Sequence, residues 1–164
     1  MKNIIIVVVV VATAMYFWNS HQLEAANPKV ISNPVYAEVR MELDAQGRSF
    51  EEVILAETVD AADCQQYSKA LQAKAMRQNE NGLAWKLKSS ECKAELESRA
   101  ARFFENKRTE VSYLSLARGD RMEREVRVVY WGVTTDESDR VCAGVSQMQI
   151  ERKGAVTCIP ALRG

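Results

Sequence analysis

Residues 35–64 read VYAEVRMELDAQGRSFEEVILAETVDAADC, and this stretch decides the fold class. Val35, Ala37, Val39, Met41 and Leu43 alternate with Tyr36, Glu38, Arg40, Glu42 and Asp44. A period of two specifies a strand with one buried face, because successive side chains leave opposite sides of a pleated backbone. Ala45-Gln46-Gly47-Arg48 supplies a turn, and residues 50–59 are a second β-rich run. Asp60 stands where a helix N-cap belongs, ahead of a helix over 61–79. Cys64, Tyr67, Leu71 and Ala75 fall on one stripe of that helix. Asn81-Gly82 ends it, and Leu83, Trp85 and Leu87 alternate along a third strand that reaches Cys92.

The same order recurs downstream. A charged helix with Leu96, Ala100 and Phe103 on one face is followed by a strand over 110–117, and Arg118-Gly119-Asp120 is a turn. Residues 122–131 form another strand through Val126, Val128 and Tyr130. Thr135 or Asp136 is placed to cap a helix carrying Val141, Val145 and Met148. Arg152-Lys153-Gly154 closes that helix with cations in its last turn and a glycine just beyond. A last short strand, 155–159, contains Cys158. The resulting class is α+β: two tandem ββαβ units, 35–92 and 109–159, joined by a helix within a domain of residues 35–164. A displacement of 72 residues carries Glu38, Val39, Ala45, Gly47 and Glu51 onto Glu110, Val111, Ala117, Gly119 and Glu123, a sign of internal duplication. Residues 147–158 admit a second reading, a hairpin about Lys153-Gly154.

Four cysteines in an exported chain point to disulfides, and two ββαβ units select the pairing. In each unit one cysteine lies in the first turns of the helix (Cys64 or Cys142). The other ends the strand that returns beside it (Cys92 or Cys158). A strand antiparallel to a helix brings its end to the helix start. Residues 64–79 span about 23 Å as helix and 83–92 about 30 Å as strand, so the ends meet. Cys64–Cys92 and Cys142–Cys158 are therefore expected. No Cys-x-x-Cys occurs, so the pair typical of a thioredoxin-like exchange site is missing.

Export is read from the N-terminus. After Met1-Lys2-Asn3, residues 4–18 read IIIVVVVVATAMYFW, an uncharged apolar run. As a helix it is about 22 Å long, between a signal-peptide core and a full membrane span. Tyr16-Phe17-Trp18 resembles an interfacial aromatic girdle, and Lys2 holds the N-terminus in the cytoplasm by the positive-inside rule. We read 1–18 as an uncleaved signal-anchor in the inner membrane, 19–34 as a tether and the rest as periplasmic. A cleaved signal, cut after Ala14 or near Ala25-Ala26, is the alternative.

The charge balance, 22 basic against 22 acidic residues, lacks the surplus that a dedicated nucleic-acid binder needs. The single histidine, His21, lies in the tether, which argues against a histidine-based metal centre or a Ser-His-Asp arrangement in the domain. Glu51-Glu52 and Asp136-Glu137-Asp139 are residue types for paired-carboxylate chemistry, but the first marks a strand start and the second a helix N-terminus. Arg99, Arg102, Lys107, Arg108, Arg118, Arg121, Arg124 and Arg127 make the second half locally basic. Glu105, Glu110, Asp120, Glu123 and Glu125 nearly cancel them, so a solvated, ion-paired surface is expected. No catalytic residue, cofactor or metal is assigned. The expected function is a non-catalytic, membrane-tethered module of a bacterial envelope that binds a protein partner, as a subunit of an assembly. The alternative is a periplasmic inhibitor or immunity-type protein directed at an exported enzyme. A hydrolase using unassigned carboxylates is the third.

Overall fold

The computed structural model describes residues 31–162 apart from 46, 79–83, 118–123 and 153–155. The expected anchor and almost all of the tether lie outside the described residues, among which no helix is long and apolar enough to cross a membrane. Val35–Ala45 (β1) and Arg48–Thr58 (β2) form an antiparallel hairpin that turns through Gly47 at φ 76°. A Cβ strains the backbone in that region, so glycine suits the turn. Ala61–Gln78 (α1) follows, and Ala84–Lys93 (β3) returns along β1. Ser98–Phe104 (α2) leads to Tyr113–Leu116 (β4), Val126–Trp131 (β5), Thr135–Arg152 (α3) and Val156–Ile159 (β6).

The six strands form one antiparallel sheet in the order β3-β1-β2-β5-β4-β6. β2 and β5, the second strand of each half, pair at the centre with Ile54 facing Val128 and Leu55 facing Arg127. On one face α1 brings Cys64, Tyr67 and Leu71, and α3 brings Val141 and Val145, onto the even residues of β2 and β5 and the odd residues of β1. On the other face α2 packs Phe103 with Val53, Leu55, Tyr113 and Val129. The alternation in 35–43 thus buries Ala37, Val39, Met41 and Leu43 as expected.

Both long helices start on side-chain caps. Asp60 Oδ1 accepts from the Asp63 amide at 2.8 Å, and Asp63 Oδ2 accepts from the Val59 amide at 2.9 Å. The second cap corrects the expectation of Thr135 or Asp136, since the N-cap is Thr134. Its Oγ1 accepts from the Glu137 amide at 3.3 Å, while its own amide donates to Glu137 Oε2 at 2.8 Å. The capping-box geometry needs a carboxylate three residues on, and Glu137 stands in that relation to Thr134.

Other boundaries also shift. The strand expected over 110–117 pairs only at Tyr113–Leu116, and the hairpin about Lys153-Gly154 is set aside because the helix runs to Arg152. The constant displacement of 72 residues fails in the first strands, since Glu110 and Val111 lie ahead of β4. Ala37 faces Cys92 in the β1–β3 pairing, and Leu114 faces Cys158 in the β4–β6 pairing. A longer β4–β5 connection breaks the register: Leu116 faces Val126, whereas Ala45 faces Arg48.

The disulfides are Cys64–Cys92 and Cys142–Cys158, with Cα atoms 6.0 Å and 5.2 Å apart. They fit an oxidising, extracytoplasmic compartment.

Candidate functional site

A groove of about 390 Å³ lies on the α2 face of the sheet. One wall is α2, through Ala100 and Phe103, and the other is β1, through Glu38 and Arg40. The floor is Val53 and Leu55 of β2 with Val129 and Trp131 of β5. The residues alternate outward because the strands that place Ile54 and Val128 in the main core must turn Val53, Leu55 and Val129 to the opposite side.

The β1 wall carries a ladder of alternating charge across three strands. Lys93 donates to Glu38 Oε2 at 2.8 Å, and Arg40 Nε donates to Glu38 Oε1 at 2.7 Å. Arg40 Nη1 then donates to Glu51 Oε1 at 3.0 Å, whose Oε2 accepts from Lys88 at 3.0 Å. Partial burial pushes the Glu38 and Glu51 carboxyls up, but the hydrogen bonds from these cations outweigh it and hold both below the usual carboxylate range. At the far rim the Arg99 guanidinium lies 4.3 Å over the Trp131 ring and pairs with Glu110.

Behind the groove, Arg127 is only 1% exposed. It fastens α2 to the sheet: its Nε donates to the Phe103 carbonyl at 2.9 Å and its Nη2 to the Phe104 carbonyl at 3.4 Å. Nη2 also pairs with Glu125 at 2.7 Å, and the guanidinium sits 4.9 Å from the Phe104 ring. A cation on the last carbonyls of a helix satisfies groups that have no partner within it. The expectation of a solvated basic surface is therefore corrected at Arg127. Sequence alone shows one cation among eight, and nothing in its spacing marks it as buried. Arg124 is also drawn in, making two bonds to Asp63 and lying 4.8 Å over the Tyr67 ring. Arg118 and Arg121 lie outside the described residues.

The candidate carboxylates are not brought together. Glu51 and Glu52 are adjacent in β2 and so face opposite sides: Glu51 joins the ladder, and Glu52 is fully buried against Tyr130. Glu137 is buried and committed to the Thr134 cap and to Arg48 at 2.5 Å, with Asp136 and Asp139 exposed on the same helix. Burial pushes the Glu137 carboxyl up, and the Thr134 amide and Arg48 more than reverse it. His21 lies outside the described residues. Trp85 and Tyr130 are in the main core. A second depression of about 320 Å³ lies between the β5–α3 loop and the C-terminal segment, near Thr134, Ser138 and Pro160. Its Ser112 hydroxyl is occupied, accepting from the Ala161 amide at 2.9 Å.

Compared with protein-family models, curated proteins and solved structures, the chain matches none.

Proposed function

We propose that the protein is a non-catalytic, membrane-tethered module of the cell envelope that binds a protein partner through the groove between α2 and β1. The observation that carries this reading is the composition of the groove: a floor of buried Val53, Leu55 and Val129 that opens at the half-buried Trp131, walled by a ladder whose charges are already paired. A pre-formed ladder offers a partner an ordered polar rim beside the half-buried Trp131 ring, and a polar rim with an aromatic anchor is the make-up of a recognition surface. In this reading the domain is a tandem of two ββαβ units, each with its own staple. Residues 4–18 hold it at the inner membrane, where high local concentration lets a modest intrinsic affinity suffice.

The test is photo-cross-linking in intact cells, with a photoreactive residue placed in the full-length chain at Glu97 or Arg40 on the groove, and at Gln65 on the outer side of α1. Both groove positions should give an adduct of one mass, Gln65 should give none, and Ala100→Arg should abolish it. Equal adducts from Gln65, or none from the groove, would reject the surface. Residues 28–164, exported behind a cleavable signal, should complement a deletion poorly. Full complementation by that soluble form, with a tightly bound exported enzyme, would favour the inhibitor instead.

A further inference from the structure

Glu52 is the one fully buried carboxyl on the central seam of the sheet. It sits in β2 directly opposite Tyr130 of β5, in the strand pair that joins the two halves. The Tyr130 hydroxyl lies 3.1 Å from Oε1, and Oε2 has no hydrogen-bond partner among the described residues. The neighbouring elements bring almost nothing that titrates. β1 contributes Ala37, Val39, Met41 and Leu43 to this core, β3 contributes Trp85, and β4 contributes Leu114 and Leu116. α1 presents Tyr67 beside Cys64 and Leu71, and α3 presents Val141 and Val145 below the Glu137 carboxylate, which Arg48 neutralises. No cation pairs with Glu52 among the ion pairs of the described residues.

We propose that Glu52 makes the β2–β5 seam a proton-dependent joint, closed when the carboxyl is neutral and loosened when it ionises. A neutral acid bonded to Tyr130 is tolerated in an apolar interior, whereas a carboxylate there has neither solvent nor a cation. Burial pushes this carboxyl up to about 8, against a smaller opposing effect of the Tyr130 hydrogen bond. The folded domain then holds one more proton than the unfolded chain between the ordinary carboxylate range and pH about 8. Stability from this group must fall as pH rises through that window and level off above it. The salt-bridged acids Glu38, Glu51, Asp63 and Glu137 act in the opposite direction and only at acid pH, because their folded values lie below the ordinary range. The two effects occupy separate windows.

The experiment is urea unfolding of the full-length chain in detergent micelles across pH about 5 to 9, beside Glu52→Gln and Tyr130→Phe. In the wild type the unfolding equilibrium constant should rise about tenfold per pH unit up to about 8, and this slope should be missing in Glu52→Gln. Hydrogen exchange at pH about 9, referenced to Glu52→Gln at the same pH, should show lost protection in β2 and β5 before the edge strands. Tyr130→Phe removes the one bond that favours ionisation and should move the break to higher pH. An infrared band of a protonated carboxyl, present at pH about 6 and lost at about 9, reads the group even if a variant folds poorly. Identical pH slopes in wild type and Glu52→Gln, or no such band, would overturn the proposal.

Discussion

Arg127→Ala is expected to destabilise the domain by about 3–5 kcal/mol, the range for truncating a large, fully buried side chain. The side chain supplies donors to the Phe103 and Phe104 carbonyls and packs against the Phe104 ring, so truncation takes the donor from the Phe104 carbonyl, leaves Phe103 only its bond from the Asn106 amide, and opens a void. Against a typical total of about 5–15 kcal/mol, that loss is severe. Urea unfolding followed by the fluorescence of Trp85 and Trp131 measures it. Arg127→Met should recover part of the loss by refilling the void without restoring the donors. Because Arg127 fastens α2, and α2 is a wall of the groove, both variants should also weaken the groove cross-link. A loss below about 1 kcal/mol for Arg127→Ala would show that α2 is held by its apolar contacts alone.

Opening the staples has the next largest effect. The Cys64–Cys92 bridge spans 28 residues and Cys142–Cys158 spans 16. Chain-entropy arguments assign the first about 3–4 kcal/mol and the second about 3 kcal/mol. Cys64→Ser with Cys92→Ser should therefore lower the thermal midpoint by about 10 °C, and the second pair of substitutions by slightly less. Each bridge ties a helix to the outermost strand of its own half, β3 or β6, so the loosened edge should differ. Proteolysis should begin near β3 in the first variant and near β6 in the second. Equal midpoints with and without a bridge would mean that the sheet contacts alone hold that edge.

A smaller effect is expected at the α3 cap. Thr134→Ala removes the acceptor for the Glu137 amide and should cost about 1 kcal/mol, read as a shift in the same urea transition.

The amino-acid sequence by itself determined the elements and the staples. Alternation in 35–43 depends only on the two-residue repeat of a strand, the Cys64-Tyr67-Leu71 stripe only on the helical repeat, and the Asp60 cap on neighbours three residues away. The pairing of Cys64 with Cys92 and of Cys142 with Cys158 followed from element lengths, because a helix and the strand that returns beside it are constrained locally. Only the tertiary structure decided how the halves meet. Placing β2 beside β5 is a long-range choice that leaves no periodic trace, and it puts Leu55 opposite Arg127 and Glu52 opposite Tyr130. Adjacent glutamates that look alike in sequence were separated by the pleat into a solvent-facing ladder member and a buried acid. Arg127 reads as one surface cation among several until α2 is folded across it and its carbonyls need a donor. Charge patterns record local composition, whereas burial of a charge depends on which distant backbone groups arrive without partners of their own.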